Sequence, residues 1–446
     1  MAHRTVVCTV TLLGALFGAG ALLVVIAGCG GGHPTTRRPA SAPPPVKSVR
    51  QCEPAQAKAS GRPSTAPLKI GTLLPETGSL FFLGPPEFAA VDVAIKEINA
   101  AGGVLGNQVI NIRGDSGDDT TDTANQTVSR ELSQGAQVII GAAASGVTEL
   151  VIDKITGAGA VEFSPANTAE EFTCWPDKGL YFRTAPPDSL QAQALAALMT
   201  GDGARRISIL ARDDAYGSGL ASKTVWYLRA AGIPQQQIQK ITYDPGATSY
   251  NTEIDDVRQF NPDAIAVIGF DESKKILIRM SEVRMGPGQK LVYGTDGNMD
   301  NALGADLRPG LLNGMKGTSP RTKLPPTFLQ RLKADDPKLV DTAYAGEAYD
   351  AVMIVALAAE RAKSTRGVDI AAAINGITWD GQMCTTFRQC RDIIASGGHP
   401  DYIGITGALN FTAAGERAVG SYGILRFNAQ NKIDEAAIQY RIVGRP

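Results

Sequence analysis

The sequence predicts an α/β fold, with parallel sheets covered by helices and arranged as two domains. Three observations carry that prediction. Short apolar runs alternate with helical patterns, as parallel sheets covered on both faces require. From Leu68 to the C-terminus the chain is about 380 residues, more than one hydrophobic core usually holds. Finally, residues 137–150 (QVIIGAAASGVTEL) run from a buried strand through small residues into a helix. Ser145, Gly146 and Thr148 then fall where free backbone N–H groups and the positive end of a helix gather, a seat for a carboxylate or phosphate. Taken alone, that stretch is equally an ordinary β–α turn.

In chain order, strand patterns fall at 68–74, 108–113, 137–140 and 161–163. Helical patterns separate them at 86–99, 122–134 and 145–157; the first stops at Ala100-Ala101-Gly102-Gly103, where glycine ends a helix cheaply. A loop leads to Thr184. A second series follows: helix 190–199, strand 207–211, helix 219–231, strand 241–243, helix 251–260, strand 264–268, helix 274–285 and strand 291–293. The helix 345–363 is long and apolar and belongs under a core. Tyr344, Tyr349 and Asp350 read as its packing and surface residues.

The head of the chain sets its address. Arg4 precedes an apolar segment, 6–27, that closes in Ile26-Ala27-Gly28-Cys29. Small residues before a cysteine mark a bacterial lipoprotein signal (1–29), with Cys29 as the lipidated N-terminus after cleavage. The competing reading is a transmembrane anchor. Residues 30–67, rich in Gly and Pro and poor in apolar side chains, read as a flexible tether of roughly 35 Å average span. The folded body is expected outside the cytoplasm, held at the cell membrane.

Composition excludes several functions. With 43 basic and 44 acidic residues there is no basic excess for nucleic acid. The histidines are His3, His33 and His399, and the first two precede the body, so a metal site or nucleophile–histidine pair is not expected. No phosphate-binding Walker loop and no Gly-x-Ser-x-Gly elbow occurs. No cofactor is implied. Cys52, Cys174, Cys384 and Cys390 remain outside the signal, and four cysteines in an exported protein allow three disulfide pairings. The short gap makes Cys384–Cys390 the local bridge and leaves Cys52–Cys174.

Ligands of open α/β sheets bind beyond the carboxyl ends of the strands. There the first domain offers hydroxyls and backbone N–H groups at Ser145, Asn167 and Thr168, without a cationic side chain, which suits a carboxylate. The second offers Asp296 and the ring of Tyr216, which suit an ammonium. A small zwitterion satisfies both.

Across the body the sequence resembles the extracytoplasmic substrate-binding proteins of branched-chain amino-acid ABC transporters, the leucine/isoleucine/valine-binding type. The motifs are Leu68-Lys69-Ile70-Gly71, Leu74-Pro75-Glu76-Thr77-Gly78, Ile98-Asn99-Ala100-Ala101-Gly102-Gly103, Phe163-Ser164-Pro165, Tyr216-Gly217-Ser218-Gly219 and Tyr293-Gly294-Thr295-Asp296-Gly297. The resemblance implies a type I periplasmic-binding fold, two Rossmann-like lobes joined by three crossovers that close like a clam. Lobe 1 would comprise 68–186 and 318–410, and lobe 2 would comprise 187–317 and 411–446. It further implies that Ser145 and Thr168 hold ligand carboxylate and ammonium, with Asn167 backbone groups, Tyr216 and Asp296 on the ammonium. Phe270 stands where relatives often carry tyrosine, and Phe81 would give the pocket an apolar wall. The expected activity is capture of an aliphatic amino acid for a membrane permease. A ligand-sensing lipoprotein without a transporter is the alternative, and an exported enzyme is disfavoured.

Overall fold

The computed structural model describes residues 53–444, and residues 52–446 form one compact unit. The signal segment, Cys29, Cys52 and the tether up to residue 52 lie outside the described residues.

In each half of the fold the central strands carry side chains buried on both faces. The first lobe runs β1 (Lys69–Leu74), α1 (Gly84–Ala100), β2 (Ile110–Asp115), α2 (Thr123–Ser133), β3 (Val138–Gly141), α3 (Ser145–Gly157), β4 (Val161–Ser164) and β5 (Tyr181–Arg183). Its sheet is parallel throughout, in the order β2-β1-β3-β4-β5. The order reverses between β1 and β3, and the crevice beyond their carboxyl ends is the ligand position of a doubly wound sheet. Strand β5 corrects the loop expected before Thr184.

The second lobe runs α4 (Asp188–Gly201), β6 (Ile207–Arg212), α5 (Ala215–Ala230), β7 (Ile238–Tyr243), α6 (Asn251–Phe260), β8 (Ala264–Ile268), α7 (Ser273–Glu282), β9 (Leu291–Gly294) and β10 (Lys316–Pro320). The chain then returns to the first core with α8 (Pro326–Asp335), α9 (Ala345–Ala362), α10 (Gly367–Ile374), β11 (Gln382–Cys384), α11 (Phe387–Ala395), β12 (Pro400–Gly404) and β13 (Gly407–Ala408). It ends in the second sheet with β14 (Val419–Arg426) and β15 (Gln439–Gly444), which is ordered β15-β14-β10-β9-β8-β6-β7. Here the expectation of purely parallel sheets is corrected. β14 pairs antiparallel with β10 on re-entering the second sheet from the first lobe, and β15 pairs antiparallel with β14, to which a short return rather than a helical crossover joins it. β11, β12 and β13 form a small third sheet.

The chain therefore passes between the two large sheets after β5, after β10 and after β13. Compared with the expected division at 317/318, β10 holds the chain in the second sheet to Pro320, through its antiparallel pairing with β14. Phe411 still packs in the first core. Helix α9 is buried along every residue from Ala345 to Ala359, as an all-round apolar helix must be. It packs on α1 in the first core. Among the described residues no helix is long and apolar enough to cross a membrane.

Residues 53–67 correct the picture of a tether that is free up to the first strand. They form no helix or strand, yet their polar groups are tied to the first lobe. Gln56 Nε2 donates to the Ala413 carbonyl (2.6 Å), Ser60 N and Oγ to Asp369 (2.6 and 3.1 Å), and Thr365 N to the Ser64 carbonyl (2.7 Å). The segment lacks apolar payload, but hydrogen bonding to the body replaces hydration of its backbone. Cys384 and Cys390 are bridged, with Cα atoms 5.3 Å apart. Cys174 is also disulfide-bonded, and its expected partner Cys52 lies outside the described residues.

Candidate functional site

Helix α3 starts directly after β3, with Ala144 as its extended N-cap and no side chain capping the free N–H groups of the first turn. Ser145 opens the helix at the crevice. The loop after β4 is organised by Ser164, whose hydroxyl donates to the Ala142 carbonyl (2.6 Å) and accepts from Ala166 N and Asn167 N (3.2 and 2.9 Å). This sets Ala166 and Thr168 beside Ser145. The first-lobe face is thus made of backbone, methyl groups and two hydroxyls.

The second-lobe face comes from three strand ends. Tyr216 lies in the first turn of α5, whose N-cap Asp214 accepts from Gly217 N (2.7 Å). Phe270 follows β8, its ring 5.3 Å from that of Tyr216 and stacked at 22°. Asp296 follows β9 in a short turn closed by Thr295 and Asn298, which cap each other's backbone. Its carboxylate accepts from Gln191 Nε2 and Tyr216 Oη at Oδ1 (both 2.8 Å) and from Tyr344 Oη at Oδ2 (2.7 Å). Burial pushes the Asp296 carboxyl up, and the Tyr344, Tyr216 and Gln191 donors pull it back. Asp188, buried at the first residue of α4, is held well above the usual carboxylate range by burial and then by Asp296.

These faces enclose one cavity, lined by Leu80, Leu83, Ala143, Ala144, Ser145, Ala166, Thr168, Tyr216, Phe270, Asp296, Gly297 and Tyr344. It leaves about 10 Å³ for a water-sized sphere, space for about one water. In this structure the two lobes are closed on each other. Of the expected site residues, Ser145, Thr168, Tyr216, Phe270 and Asp296 come together here.

Two expected residues do not. Phe81 is 45 % exposed and faces outward, whereas Leu80 and Leu83 supply the apolar wall. The turn Phe81–Leu83 is a 3₁₀ helix, so positions three apart share a face and Leu80 pairs with Leu83, not with Phe81. Asn167 stands behind the wall: its amide donates to the Ala143 carbonyl (2.9 Å) and accepts from Thr148 Oγ1 and Tyr181 Oη (2.7 and 3.1 Å). It braces the face without lining it. Tyr344, read from sequence as packing, lines the cavity, and Gln191 was not anticipated at all. Among the described residues no group of three or more His, Cys, Asp or Glu is arranged to hold a metal ion.

Known proteins share this plan. Residues 67–431 match the profile of the periplasmic binding protein family. A chemotactic signal transduction system substrate-binding protein of Halobacterium salinarum is 27% identical over 367 residues, covering 79% of this chain and 86% of the relative. A Leu/Ile/Val-binding protein homologue of Brucella melitensis is 25% identical over 330 residues, covering 72% and 85%. A branched-chain amino acid transporter substrate-binding protein of Streptococcus pneumoniae, solved in complex with isoleucine, shares the fold with a TM-score of 0.66 at 22% identity, over 85% of this chain and 100% of that one. With a family match across nearly all of the folded body and two lobes meeting around one cavity, the chain belongs to the periplasmic binding protein family, as a solute-binding protein of the type I fold.

Proposed function

We propose that this protein captures a small zwitterion, an aliphatic amino acid, between its lobes and delivers it to an ABC-transporter permease. One observation carries the reading: the uncapped first turn of α3 at Ser145 and the carboxylate of Asp296 face the same cavity from opposite lobes. The ligand carboxylate would cap α3, taking up the N–H groups left free there, with Ser145 and Thr168 hydroxyls beside it. The ammonium would meet Asp296. A carboxylate has about four acceptor positions and this one uses three, so one remains for an ammonium N–H. The Tyr216 ring offers a π face to the same charge, while Phe270, stacked on Tyr216 and covered by the Arg212 guanidinium, backs it. Leu80 and Leu83 would hold an aliphatic side chain.

No bond is made or broken in this scheme. The ligand enters when the lobes part, and binding shifts the population toward the closed shape that a permease reads. Cys29 would carry the lipid anchor on the extracytoplasmic face. Native mass spectrometry of the purified protein tests the ligand directly, with a co-purified amino acid as the expected result and an empty or non-zwitterionic cavity as the contrary one. Cys29→Ala should abolish fatty-acid labelling; unchanged labelling would remove the anchor. The relative in a chemotactic system favours a second reading, ligand sensing without transport. Uptake of the bound amino acid in a deletion strain separates the two.

A further inference from the structure

We propose that Arg212 is a positioning residue that couples the ligand-facing aromatic pair to lobe closure, through an ion pair with Asp119 made only when the lobes meet. The inference rests on the solute-binding reading above. Arg212 ends β6 and is 2% exposed. Its guanidinium meets Asp214 (Nε to Oδ2, 2.7 Å), Glu272 (Nη1, 3.4 Å) and Asp119 (Nη2, 3.4 Å).

The first two carboxylates belong to its own lobe and are fixed there. Asp214 caps α5, and Glu272 accepts from Phe270 N and Tyr243 Oη (both 2.9 Å). Arg212 therefore keeps its charge compensated whether the lobes are together or apart. Asp119 is different: it sits between β2 and α2 of the first lobe and retains access to water. Opening the lobes would return it to solvent at little cost, so the contact can be made and broken repeatedly.

Both ends of this contact adjoin the cavity. Asp119 leans on the first turn of α3, where a Cβ added to Gly146 would come within 2.9 Å of Asp119 Oδ2; only a glycine beside Ser145 leaves that room. The Arg212 guanidinium lies 3.7 Å from the centre of the Phe270 ring, which stacks on Tyr216, whose hydroxyl donates to Asp296. A planar fork stacked on an aromatic face fixes the plane of that ring in a way a lysine cannot. Closing on Asp119 thus seats Arg212, and Arg212 seats the rings that face the ligand. The Lys223–Glu170 pair, also between lobes, is more exposed and touches neither ring.

The test uses the full purified chain, with L-leucine as probe, in wild type, Asp119→Asn, Asp119→Glu, Arg212→Lys and the double variant Asp119→Asn/Arg212→Lys. Asp119→Asn should weaken binding about tenfold, mainly through faster dissociation. Wild-type dissociation should quicken with added salt, and that of Asp119→Asn less steeply, since the Asp119 pair is gone and the Lys223–Glu170 pair remains between the lobes. Asp119→Glu should recover most of the loss, and the double variant should lose less than the sum of the singles. Ligand-free melting should hold, because Arg212 keeps two counter-ions. Dissociation of Asp119→Asn within twofold of wild type, or with the wild-type salt slope, overturns the proposal. If wild type does not bind the probe, the amino-acid reading fails on its own. The coupling is then read by X-ray scattering of the ligand-free proteins: wild type should be the more compact at low salt, and equal radii overturn it.

Discussion

The two walls of the cavity are built by opposite strategies. The first-lobe wall is backbone, alanine, hydroxyl and the leucines Leu80 and Leu83, held by α3, the Ser164 loop and the turn before α1, and its charged side chains are elsewhere. The second-lobe wall is a chain of side chains, Phe270 stacked on Tyr216 and Tyr216 bonded to Asp296, with Gln191 holding Asp296 from behind and Arg212 backing Phe270. A wall of backbone tolerates substitution, because helix N–H groups survive it. A wall of mutually dependent side chains does not.

Asp296→Asn tests that contrast most severely. It keeps the shape and an acceptor but removes the only carboxylate on the cavity wall. An unpaired buried ammonium costs roughly 3–5 kcal/mol, so affinity for L-leucine should fall by about two to three and a half decades. Titration calorimetry reads it, beside a melt of the empty protein. Because Asp296 is buried with three donors, some stability should go too. If stability alone falls, the second wall is not the ammonium pole.

The first lobe does hold carboxyls, but it places them beneath its sheet. Glu131 on α2 is buried, inserted where Gly71 and Gly114 leave room; a Cβ on either would come within 2.2 and 2.7 Å of its carboxylate oxygens. Burial raises it to about 8, with Arg130 pulling the other way. Its folded value lies above its unfolded one, so the folded state keeps a proton that the unfolded state releases. Stability from this group is therefore lost as pH climbs from about 4.5 to about 8, then levels. Glu131→Gln should flatten that slope and stabilise the protein by up to ~4 kcal/mol above pH 8, read by urea unfolding across pH. An unchanged slope would mean that Glu131 does not titrate in this range in the folded protein.

Tyr344→Phe removes one donor to Asp296 while keeping the ring. A hydrogen bond to a charged group is worth about 1.5 kcal/mol, so binding should weaken roughly tenfold. Ser145→Ala should cost least, roughly threefold, because the N–H groups of α3 remain. A larger loss at Ser145 than at Tyr344 would invert the contrast between the walls.

How far the sequence reached follows the same division. Ser145 and Asp296 were legible because each follows a buried run and ends it with a polar, small-residue turn, a signal local in the chain. Tyr344 was not. It stands at φ 57° before α9, reaching Asp296 across 48 residues, and a tyrosine beside an apolar helix looks like packing. Phe81 misled because an apolar run does not show which face a 3₁₀ turn will bury. Asn167 misled because its backbone groups, expected at the ligand, are taken inside the wall: its N–H donates to Ser164 Oγ (2.9 Å) and its carbonyl accepts from Arg183 Nη1 (3.5 Å). The antiparallel end of the second sheet escaped because β14 returns from the first lobe about a hundred residues after β10, and no α-helix separates it from β15.

The stretch 53–67 has a mechanical consequence. Its hydrogen bonds to the body end on Asp369, Ser364, Thr365, Asn107, Gln137 and Ala413, at or beside the first-lobe core, and none ends on the second sheet. A pull applied at residue 53 would enter through α10 and the segment after β13, and load those bonds in turn. The load path bypasses Arg212, Tyr216 and Asp296, so the second lobe can swing without working against whatever holds the chain at its head.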